Sequence, residues 1–299
     1  MLNPDQLWRR AALIQTIRAF FIKRGYLEVD TPLCLTAPAP EAHIEPQEAG
    51  DRYLQTSPEL CMKRLLAAGG AKIFQICKCF RKKERGARHL PEFTMLEWYR
   101  TNCDYQGLMA EVQELLEFLA DRVAPDKAVV NGRPFSWQNP LERLTVAEAF
   151  ARHAPLTLAQ ALAGNCFDET LCRYVEPCLG QQRPTILYDY PAALGSLARL
   201  KKAEPALAER FELYINGLEL ANGFSELTDA AEQQARFTKE QALIESLGRQ
   251  PAPMPRQFLA ALTDMPAAAG IALGVDRLAM IFWGASTIDQ VVTFTPEEA

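Results

Sequence analysis

Hydrophobic residues recur at helical spacing near the start of the chain. One helical face carries Leu7, Ala11, Ile14, Ile17 and Phe21. Gly25 follows and is able to take the left-handed conformation that ends many helices, so the spacing predicts a helix over residues 6 to 24. A short strand over Tyr26 to Leu33, closed by Pro32, and a proline-rich loop over Ala37 to Pro46 are predicted next.

Further along, apolar runs separated by turn residues predict strands. The runs Lys72 to Arg81 and Glu92 to Arg100 are joined by a charged loop and are interpreted as an antiparallel pair. Asn216-Gly217 is a typical hairpin turn, and it separates Phe211 to Ile215 from Leu218 to Ala221. Consecutive strands with tight turns favour an α+β class, in which an antiparallel β-sheet is flanked by helices, over a doubly wound parallel sheet.

Helical segments and a less regular region complete the pattern. Ser57-Pro58-Glu59 has the order of an N-cap, a first-turn proline and a first-turn acid, and therefore predicts a helix. Residues 105 to 122 are also predicted to be helical. Residues 123 to 183 alternate short helical pieces with proline and glycine and are interpreted as a mainly helical insertion. Thr185 to Tyr190 is predicted as a strand, and Gly270 to Gly274 as a strand that turns into a helix.

Composition and charge narrow the class of protein. At 299 residues, of which 48% are hydrophobic, the chain is large enough for one sizeable domain with a buried core. It shows no charged-then-apolar leader and no apolar run near ~20 residues, which predicts a cytoplasmic protein outside the membrane. The net charge of −5 argues against a surface that tracks nucleic-acid phosphates. The cysteines are expected to be reduced, and the histidines show no metal-binding spacing.

Alternation on the strand after the charged loop places an acid among apolar side chains. Phe93, Met95, Glu97 and Tyr99 share one face of that strand. A buried carboxylate is costly unless a cation pairs with it, so Glu97 is either part of a structural ion pair or a contact for a cationic ligand. Arg81, at the end of the preceding strand, is either an edge residue whose charge reaches solvent or a clamp for a phosphate group.

Two further acids, Glu219 and Glu226, flank the sequence Leu-Ala-Asn-Gly-Phe-Ser. Two carboxylates with phosphate oxygens are a common way of holding Mg²⁺, and the alternative is a pair of solvated acids at a strand rim. These two acids would lie on opposite faces of a regular strand, so Gly223 is expected to break the pleat if both serve one site. Arg277 lies at the start of a predicted helix, where the helix N-terminus favours anions. The signal is weak by itself, because many helices begin with Asp and Arg.

Five segments resemble the class II aminoacyl-tRNA synthetases, and specifically their lysine branch. Motif 2 of that family resembles residues 80 to 100, FRKKERGARHLPEFTMLEWYR, and motif 3 resembles residues 270 to 285, GIALGVDRLAMIFWGA. Motif 1 resembles residues 20 to 32, and further lysyl-tRNA synthetase segments resemble residues 56 to 66 and 211 to 237. The segments occur in the family order and extend over the chain outside the insertion. The resemblance implies the class II catalytic fold over residues 1–299.

The resemblance also implies ATP and Mg²⁺ as cofactors and gives roles to residues within the motifs. Arg81 and Arg277 would be catalytic, stabilising charge on the α-phosphate, and Phe93 would stack on adenine. Glu219 and Glu226 would hold Mg²⁺. The implied nucleotide-binding set is Arg81, Lys83, His89, Leu90, Phe93, Glu219, Leu220, Gly274 and Arg277.

The same resemblance implies a pocket for lysine or β-lysine. The implied set is Ser57, Glu59, Glu97, Tyr99, Asn222, Glu226 and Ala272. Two ammonium groups need several acids nearby, and an acidic pocket rejects uncharged analogues because its carboxylates then stay unpaired. Two positions depart from the family pattern. Arg81-Lys82-Lys83-Glu84 displaces the acid of an Arg-x-Glu sequence by one residue, and Leu90 replaces an Asn.

The acceptor of the activated amino acid is a separate question. The motif 1 helix begins almost at Met1, which leaves no room for an N-terminal anticodon-binding domain and, with the acidic charge, argues against tRNA. The chain resembles truncated lysyl-tRNA synthetase paralogues that attach (R)-β-lysine to a lysine side chain of elongation factor P. Ala272, where lysyl-tRNA synthetases tend to have Gly, would add a methyl group to the pocket wall and favour a β-amino acid. Motif 1 implies a homodimer.

Two alternatives stay open from the sequence. A minimal lysyl-tRNA synthetase would place lysine on tRNA, and a non-catalytic binding protein with this fold would form no adenylate. Lys83 and Leu90 favour the second alternative because they depart from the family's nucleotide-binding pattern. Amino-acid-dependent exchange of pyrophosphate into ATP distinguishes an enzyme from a binding protein.

Overall fold

The computed structural model describes residues 1–123, 129–130, 133–135, 137 and 139–299. Its helices are α1 Pro4–Lys23, α2 Glu59–Ala67, α3 Tyr105–Val123, α4 Val146–His153, α5 Leu158–Ala163, α6 Phe167–Thr170, α7 Ala230–Ser246, α8 Arg256–Ala261 and α9 Val275–Trp283. Its strands are β1 Leu27–Glu28, β2 Cys34–Leu35, β3 Glu48–Ala49, β4 Arg52–Leu54, β5 Lys72–Phe80, β6 Glu92–Thr101, β7 Val129–Val130, β8 Arg133–Pro134, β9 Glu142–Thr145, β10 Thr185–Pro191, β11 Leu207–Ile215, β12 Leu218–Ser225 and β13 Ala268–Gly274. Within these ranges, no helix is both long enough and apolar enough to cross a bilayer.

The largest sheet runs in the order β1-β5-β6-β13-β12-β11-β10-β9 across the described residues. Neighbouring strands from β5 to β10 are antiparallel, whereas β1 pairs with β5 and β9 pairs with β10 in parallel. This arrangement confirms the predicted α+β class with a mainly antiparallel sheet. Because β13 lies between β6 and β12, the strands that carry the predicted acids are close in space although they are far apart in sequence.

One face of this sheet is sealed by helices, and the other is left partly open. Leu96 and Trp98 of β6 belong to the main hydrophobic core, together with residues of α1, α3 and α9. Glu97 and Tyr99 point to the other face, because successive strand residues alternate. Tyr99 packs there with α2 and α8, and beside this contact the sheet forms the floor of a cavity.

The N-terminal elements show where the sequence predictions hold and where they fail. Gly25 has a φ of +75° directly after α1, which confirms both the predicted helix and its glycine end. The strand predicted over Tyr26 to Leu33 is wrong, because only Leu27 and Glu28 pair with β5. Pro32 has no amide hydrogen for a strand ladder, and the chain has left the sheet edge before it reaches this residue.

The second helix begins later than predicted. α2 starts at Glu59 with Pro58 before it, so Ser57 is not its N-cap. The Ser57 hydroxyl still accepts a hydrogen bond from the Glu59 amide at 3.0 Å, and it donates one to Glu97 at 2.6 Å. Ser57 therefore connects the start of α2 to β6 at the edge of the cavity.

Most of the remaining predicted elements are present with small changes of length. β5, β6, α3 and β10 match their predicted bounds to within one residue. Asn216 and Gly217 form the predicted hairpin turn with φ values of +55° and +66°. β11 and β12 extend beyond the predicted hairpin, because both lie inside the sheet with a partner strand on each side.

β12 carries a bulge that decides which of its acids share a face. Two consecutive β11 residues pair with Glu219 and Ala221, so Leu220 between them is an extra residue. The bulge shifts the alternation by one, and Glu219 therefore faces the same side of the sheet as Asn222. Gly223, expected to break the pleat if both acids serve one site, stays paired with strands on both sides, and the break falls at Leu220 instead.

The first part of the predicted insertion lies largely outside the described residues, at 124–128, 131–132, 136 and 138. From residue 139 onward, β9 extends the sheet parallel to β10. The helices α4, α5 and α6 then pack around an apolar cluster that includes Phe150 and Phe167. Tyr214 of β11 belongs to the same cluster, so these helices support the strand that carries part of the cavity.

Gly223 has a packing role that predicts the effect of an added methyl group. A Cβ at this position would lie 2.7 Å from the Phe211 ring and 3.0 Å from the Ile271 Cβ. Gly223→Ala should lower the free energy of unfolding by about 1–3 kcal/mol, the usual cost of overpacking, as measured by urea unfolding. Gly86→Ala is the control, because a Cβ there meets nothing within 4 Å. Equal stability of the two variants would contradict the packing role.

Candidate active site

A cavity of about 370 Å³ opens on the sheet face that carries Glu97. It is lined mainly by residues of β6, β11, β12 and β13, the first turns of α2 and α9, and the loops between β2 and β3 and between β5 and β6. The predicted site residues on its wall are Ser57, Glu59, Arg81, His89, Leu90, Phe93, Glu97, Tyr99, Glu219, Leu220, Asn222, Ala272, Gly274 and Arg277. Lys83 and Glu226 do not line it.

One end of the cavity combines a cation with an aromatic ring. The Arg81 guanidinium lies 5.1 Å from the centroid of the Phe93 ring. Arg81 Nη1 is 3.8 Å from Glu84, and the buried Nε has no acceptor among the described residues. Because a buried donor without a partner is costly, Arg81 is suited to receive an anionic group from a ligand.

Arg277 extends from the first turn of α9 toward the same end of the cavity. Its Nη1 donates to the Glu219 carbonyl oxygen at 2.8 Å, and its Nη2 lies 2.6 Å from His89 Nε2. Burial, followed by the charge of Arg277, lowers the pKa of His89. The neutral ring is therefore able to accept the hydrogen bond and to hold the guanidinium in place.

The start of α9 is fixed by a buried ion pair. Asp276 is 2% exposed, and its carboxylate lies 2.7 Å from Arg10 of α1. The same carboxylate accepts a hydrogen bond from the Thr94 amide at 2.6 Å. Three elements thus meet at one side chain, and the position of the adjacent Arg277 depends on that contact.

The other end of the cavity is acidic. Glu97 is fully buried, and its carboxylate accepts hydrogen bonds from the hydroxyls of Ser57 at 2.6 Å and Tyr99 at 2.8 Å. Burial, followed by the charge of Glu59, raises the pKa of Glu97 to about 8. None of the salt bridges in the described part of the chain includes Glu97, so a structural ion pair does not explain its burial. A cationic ligand would supply the missing partner.

Lys63 is a buried cation that the sequence prediction missed. Its Nζ lies 2.5 Å from Glu59 and 2.5 Å from Glu226. The only sequence signal for it is the four-residue spacing to Glu59 on a helix, which is common on protein surfaces. Its second partner comes from the end of β12 and is visible only in the folded chain.

Glu226 lies behind the cavity wall. It is 1% exposed, and burial raises its pKa to about 8, although Lys63 lowers it in part. Gly270 permits this packing, because a Cβ there would lie 2.5 Å from the Glu226 carboxylate and 2.2 Å from the Tyr99 ring. The contact with Lys63 and the position behind the wall argue against the predicted pairing of Glu226 with Glu219 around Mg²⁺.

Glu212 and Glu219 are neighbouring acids on the cavity wall, Glu219 at 3.6 Å from Arg277 and Glu212 beside Arg210. Glu212 accepts hydrogen bonds from the hydroxyls of Tyr190 at 2.5 Å and Tyr214 at 2.6 Å, and it pairs with Arg210 at 2.5 Å. Burial, followed by the charge of Glu212, raises the pKa of Glu219 to about 7. Sequence reasoning missed Glu212. The signal for it is the alternation of Arg210 and Glu212 with apolar residues along β11, which marks one polar face.

Lys83 points away from the cavity, so its predicted contact with the nucleotide stays a prediction that the geometry of its side chain does not support. Its φ is +66°, and its Nζ pairs with Glu45 at 2.9 Å on the surface. The next residue, Glu84, lines the cavity near Arg81 instead. Leu90 is buried in the core and also contributes to the wall, so the departure at this position places an apolar group there.

The raised pKa of Glu97 predicts a pH-dependent cost in stability. Its folded pKa of about 8 exceeds the unfolded value of about 4.3, so the folded protein binds more protons. The free energy of unfolding therefore falls as the pH rises through this window. Glu97→Gln should remove the part of this fall in the free energy of unfolding that comes from Glu97. We expect a higher Tm than that of the unaltered protein at pH 8, and a much smaller difference at pH 4.5.

Glu92→Gln is the matched control for this prediction, because Glu92 is an exposed acid on the same strand. Differential scanning calorimetry between pH 4.5 and 8.5 measures the effect, and each kcal/mol should shift Tm by about 2–4 °C. If Glu97→Gln gains no stability on going from pH 4.5 to 8, the Glu97 carboxylate is charged and well paired in the folded protein.

Comparisons with known proteins agree with this geometry. The family model described as tRNA synthetases class II (D, K and N) matches residues 4–298. Relatives named Elongation factor P--(R)-beta-lysine ligase are 39% identical in Salmonella gallinarum (strain 287/91 / NCTC 13346) and 40% identical in Salmonella heidelberg (strain SL476). Each of these alignments covers 98% of this chain and 95% of the relative. The chain therefore belongs to the family of class II tRNA synthetases.

Proposed function

We propose that this chain activates (R)-β-lysine, or lysine, with ATP as an aminoacyl-adenylate and transfers it to a lysine side chain of elongation factor P. The observation that carries the proposal is one cavity with Arg81 and Phe93 at one end and the buried Glu97 at the other. Membership of a synthetase family supports the use of ATP. The names of the relatives support the acceptor, because they are ligases of elongation factor P and (R)-β-lysine.

The nucleotide suits the end of the cavity with two arginines. Phe93 would stack on adenine, Arg81 would bind the α-phosphate through its unpaired Nε, and Arg277 would face the nucleotide from α9. A carboxylate oxygen of the amino acid attacks the α-phosphorus, and pyrophosphate leaves with the electron pair of the broken P–O bond. The step needs no protein nucleophile. The two guanidinium groups stabilise the charge that develops on the phosphate oxygens.

Mg²⁺ is a cofactor that Glu212 and Glu219 are suited to hold. Burial, followed by the charge of Glu212, raises the pKa of Glu219, and a divalent cation would offset both the lost hydration and the repulsion. In the described ranges, no group of three or more His, Cys, Asp or Glu is placed to hold a metal ion. Mg²⁺ commonly takes one or two carboxylates and completes its ligands with phosphate oxygens and water, which fits a two-acid site. When bound, it would neutralise charge on the triphosphate.

The acidic end of the cavity suits an amino acid with two ammonium groups. When ionised, Glu59, Glu97 and Glu226 carry three negative charges, and Lys63 balances one of them, which leaves two. Lysine and β-lysine each carry two ammonium groups at neutral pH. Because burial raises the pKa of Glu97, we expect a bound dication to displace protons from the site. An uncharged analogue would leave carboxylates unpaired.

The proposal extends to a homodimer formed through α1 and the segment after it. Trp8, Ile22 and Leu27 are apolar side chains with exposed fractions of 76%, 59% and 64%. Trp8 and Ile22 are separated by nearly four full turns, so they lie close to one helical face. Exposed apolar side chains on one surface are typical of a subunit interface, and motif 1 of this family favours a two-fold arrangement.

Pyrophosphate exchange followed by mass analysis tests the proposed function. We expect (R)-β-lysine or lysine, and not ornithine, to stimulate exchange of labelled pyrophosphate into ATP. Elongation factor P incubated with the enzyme, ATP and the amino acid should then gain the mass of one lysyl group. Exchange without a mass gain, together with labelled lysine on tRNA, would favour a lysyl-tRNA synthetase. Failure of every one of these amino acids to stimulate exchange would exclude the activation step.

Glu212→Gln should raise the Mg²⁺ concentration required for half-maximal pyrophosphate exchange. We expect a change of at least about tenfold, because even groups that support a metal ligand indirectly commonly contribute that much. Glu226→Gln provides the contrast, since Glu226 contacts Lys63 and should affect the KM for the amino acid instead. If instead Glu226→Gln raises the Mg²⁺ requirement and Glu212→Gln raises the KM for the amino acid, Glu219 and Glu226 are the pair that holds Mg²⁺.

Ala272 is placed to influence the choice between α- and β-amino acids. It lies on β13 between Glu97 of β6 and Asn222 of β12, at the cavity wall. Ala272→Gly should raise kcat/KM for α-lysine relative to (R)-β-lysine by about tenfold or more, the scale of one small apolar group in a pocket. Ala269→Gly removes a methyl group on the opposite face of the same strand and serves as the control. If Ala272→Gly leaves the preference between α-lysine and (R)-β-lysine unchanged, this methyl group does not contribute to the selection.

A further inference from the structure

A second cavity, of about 190 Å³, shares part of its wall with the main cavity. Glu41 and Ile44 line both. The rest of the second cavity is formed mainly by residues 45 to 53 and by the segment after α7. One water molecule needs about 10–15 Å³ of such space, so this cavity is large enough for a slender side chain such as that of lysine.

The loop that carries Glu41 is fixed at two points. Its Ala42 amide donates a hydrogen bond to Glu240 of α7 at 2.8 Å. Its Glu45 carbonyl oxygen accepts one from the Lys82 amide at 2.8 Å, and the Glu45 carboxylate pairs with the Lys82 ammonium at 3.0 Å. The loop is therefore held both to α7 and to the segment after β5, and these contacts set the position of Glu41 between the two cavities.

Charged groups from four elements face Glu41. They are Glu59 of α2, Arg81 after β5, Glu240 of α7 and Arg210 of β11. Burial, followed by the charge of Glu59, raises the pKa of Glu41 to about 7, although Arg81 and Arg210 act in the opposite direction. A carboxyl group with such a pKa exchanges protons readily at neutral pH, which is the property that a general base needs.

Resting on the proposed function, we propose that the second cavity admits the acceptor lysine side chain and that Glu41 is the general base of the transfer step. The nucleotide and the activated amino acid would fill the main cavity, so the acceptor has to approach the reacting carbonyl from another side. That carbonyl is bonded to the α-phosphate, which is assigned to Arg81. Glu41 faces Arg81 at the place where the two cavities meet.

The transfer step balances with the groups already named. The Glu41 carboxylate takes one proton from the lysine ammonium group, and the freed electron pair of the nitrogen attacks the carbonyl carbon of the adenylate. The bond between that carbon and the phosphate oxygen breaks, and AMP leaves with its electron pair. The nitrogen loses a second proton to water, which leaves an amide. Glu41 then returns its own proton to water.

Separate assays of the two half-reactions test this proposal with Glu41→Gln and Glu41→Asp. Glu41→Gln should keep pyrophosphate exchange within about threefold of the unaltered enzyme, while transfer from preformed adenylate to elongation factor P falls by about 100-fold or more, the scale of general-base catalysis. The transfer rate of the unaltered enzyme should rise between pH 6 and 8. That rise should be lost in Glu41→Gln and retained in part by Glu41→Asp. Glu245→Gln, an exposed acid on α7, is the control.

The outcomes separate this proposal from the proposed function. If Glu41→Gln lowers exchange and transfer equally, Glu41 serves adenylate formation and the proposal is wrong; unchanged transfer also overturns it. If the unaltered enzyme supports exchange but does not modify elongation factor P, elongation factor P is not the acceptor protein. The same comparison is then made with Nα-acetyl-lysine amide as the acceptor amine, and an equal transfer rate for Glu41→Gln and the unaltered enzyme excludes the general base.

Discussion

The site depends on burying more carboxylate charge than the protein itself balances. Lys63 lies between Glu59 and Glu226, whereas the described residues that donate hydrogen bonds to the Glu97 carboxylate are neutral hydroxyls. Burial, followed by the charges of neighbouring groups, raises the pKa values of Glu97 and Glu226, so under the proposed function a cationic amino acid would displace protons from the site. Affinity for a dication and a cost in stability are therefore two results of the same arrangement, as is common where binding and stability compete.

The sheet makes this arrangement rigid enough to serve chemistry. β6, β13 and β12 are hydrogen-bonded neighbours, and they carry groups from both the arginine end and the acidic end of the cavity. The bulge at Leu220 turns Glu219 to the cavity face, and Gly270 leaves space for the Tyr99 ring and for Glu226. Because these positions lie on strands whose other face is sealed by helices, the distance between the two ends of the cavity is fixed by the core.

Strand alternation was sufficient to predict the cavity face of β6, with Phe93, Glu97 and Tyr99 on one side, and turn chemistry was sufficient for the main hairpin. The orientation of Glu219 on β12 was harder to predict, because one extra residue at Leu220 changes which side chains share a face and leaves no distinct composition signal. Lys63 was missed for a different reason. Its role depends on a partner more than 150 residues away, which local spacing does not show.

The two half-reactions make different demands on the fold, and the molecule meets them with different elements. Under the proposed function, activation requires phosphate, metal and amine contacts at fixed distances, and the residues proposed for them lie on strands, at helix starts and, for Arg81, directly after β5. Transfer requires access for a third molecule, and the chain between β2 and β3 contains no regular strand or helix. That loop is still fixed by contacts to α7 and to the segment after β5. Loops on a rigid scaffold commonly carry binding residues, because the sequence of a loop is able to change without disturbing the core. If Glu41 is the general base of transfer, its place on this loop would let the acceptor change while the activation chemistry is preserved.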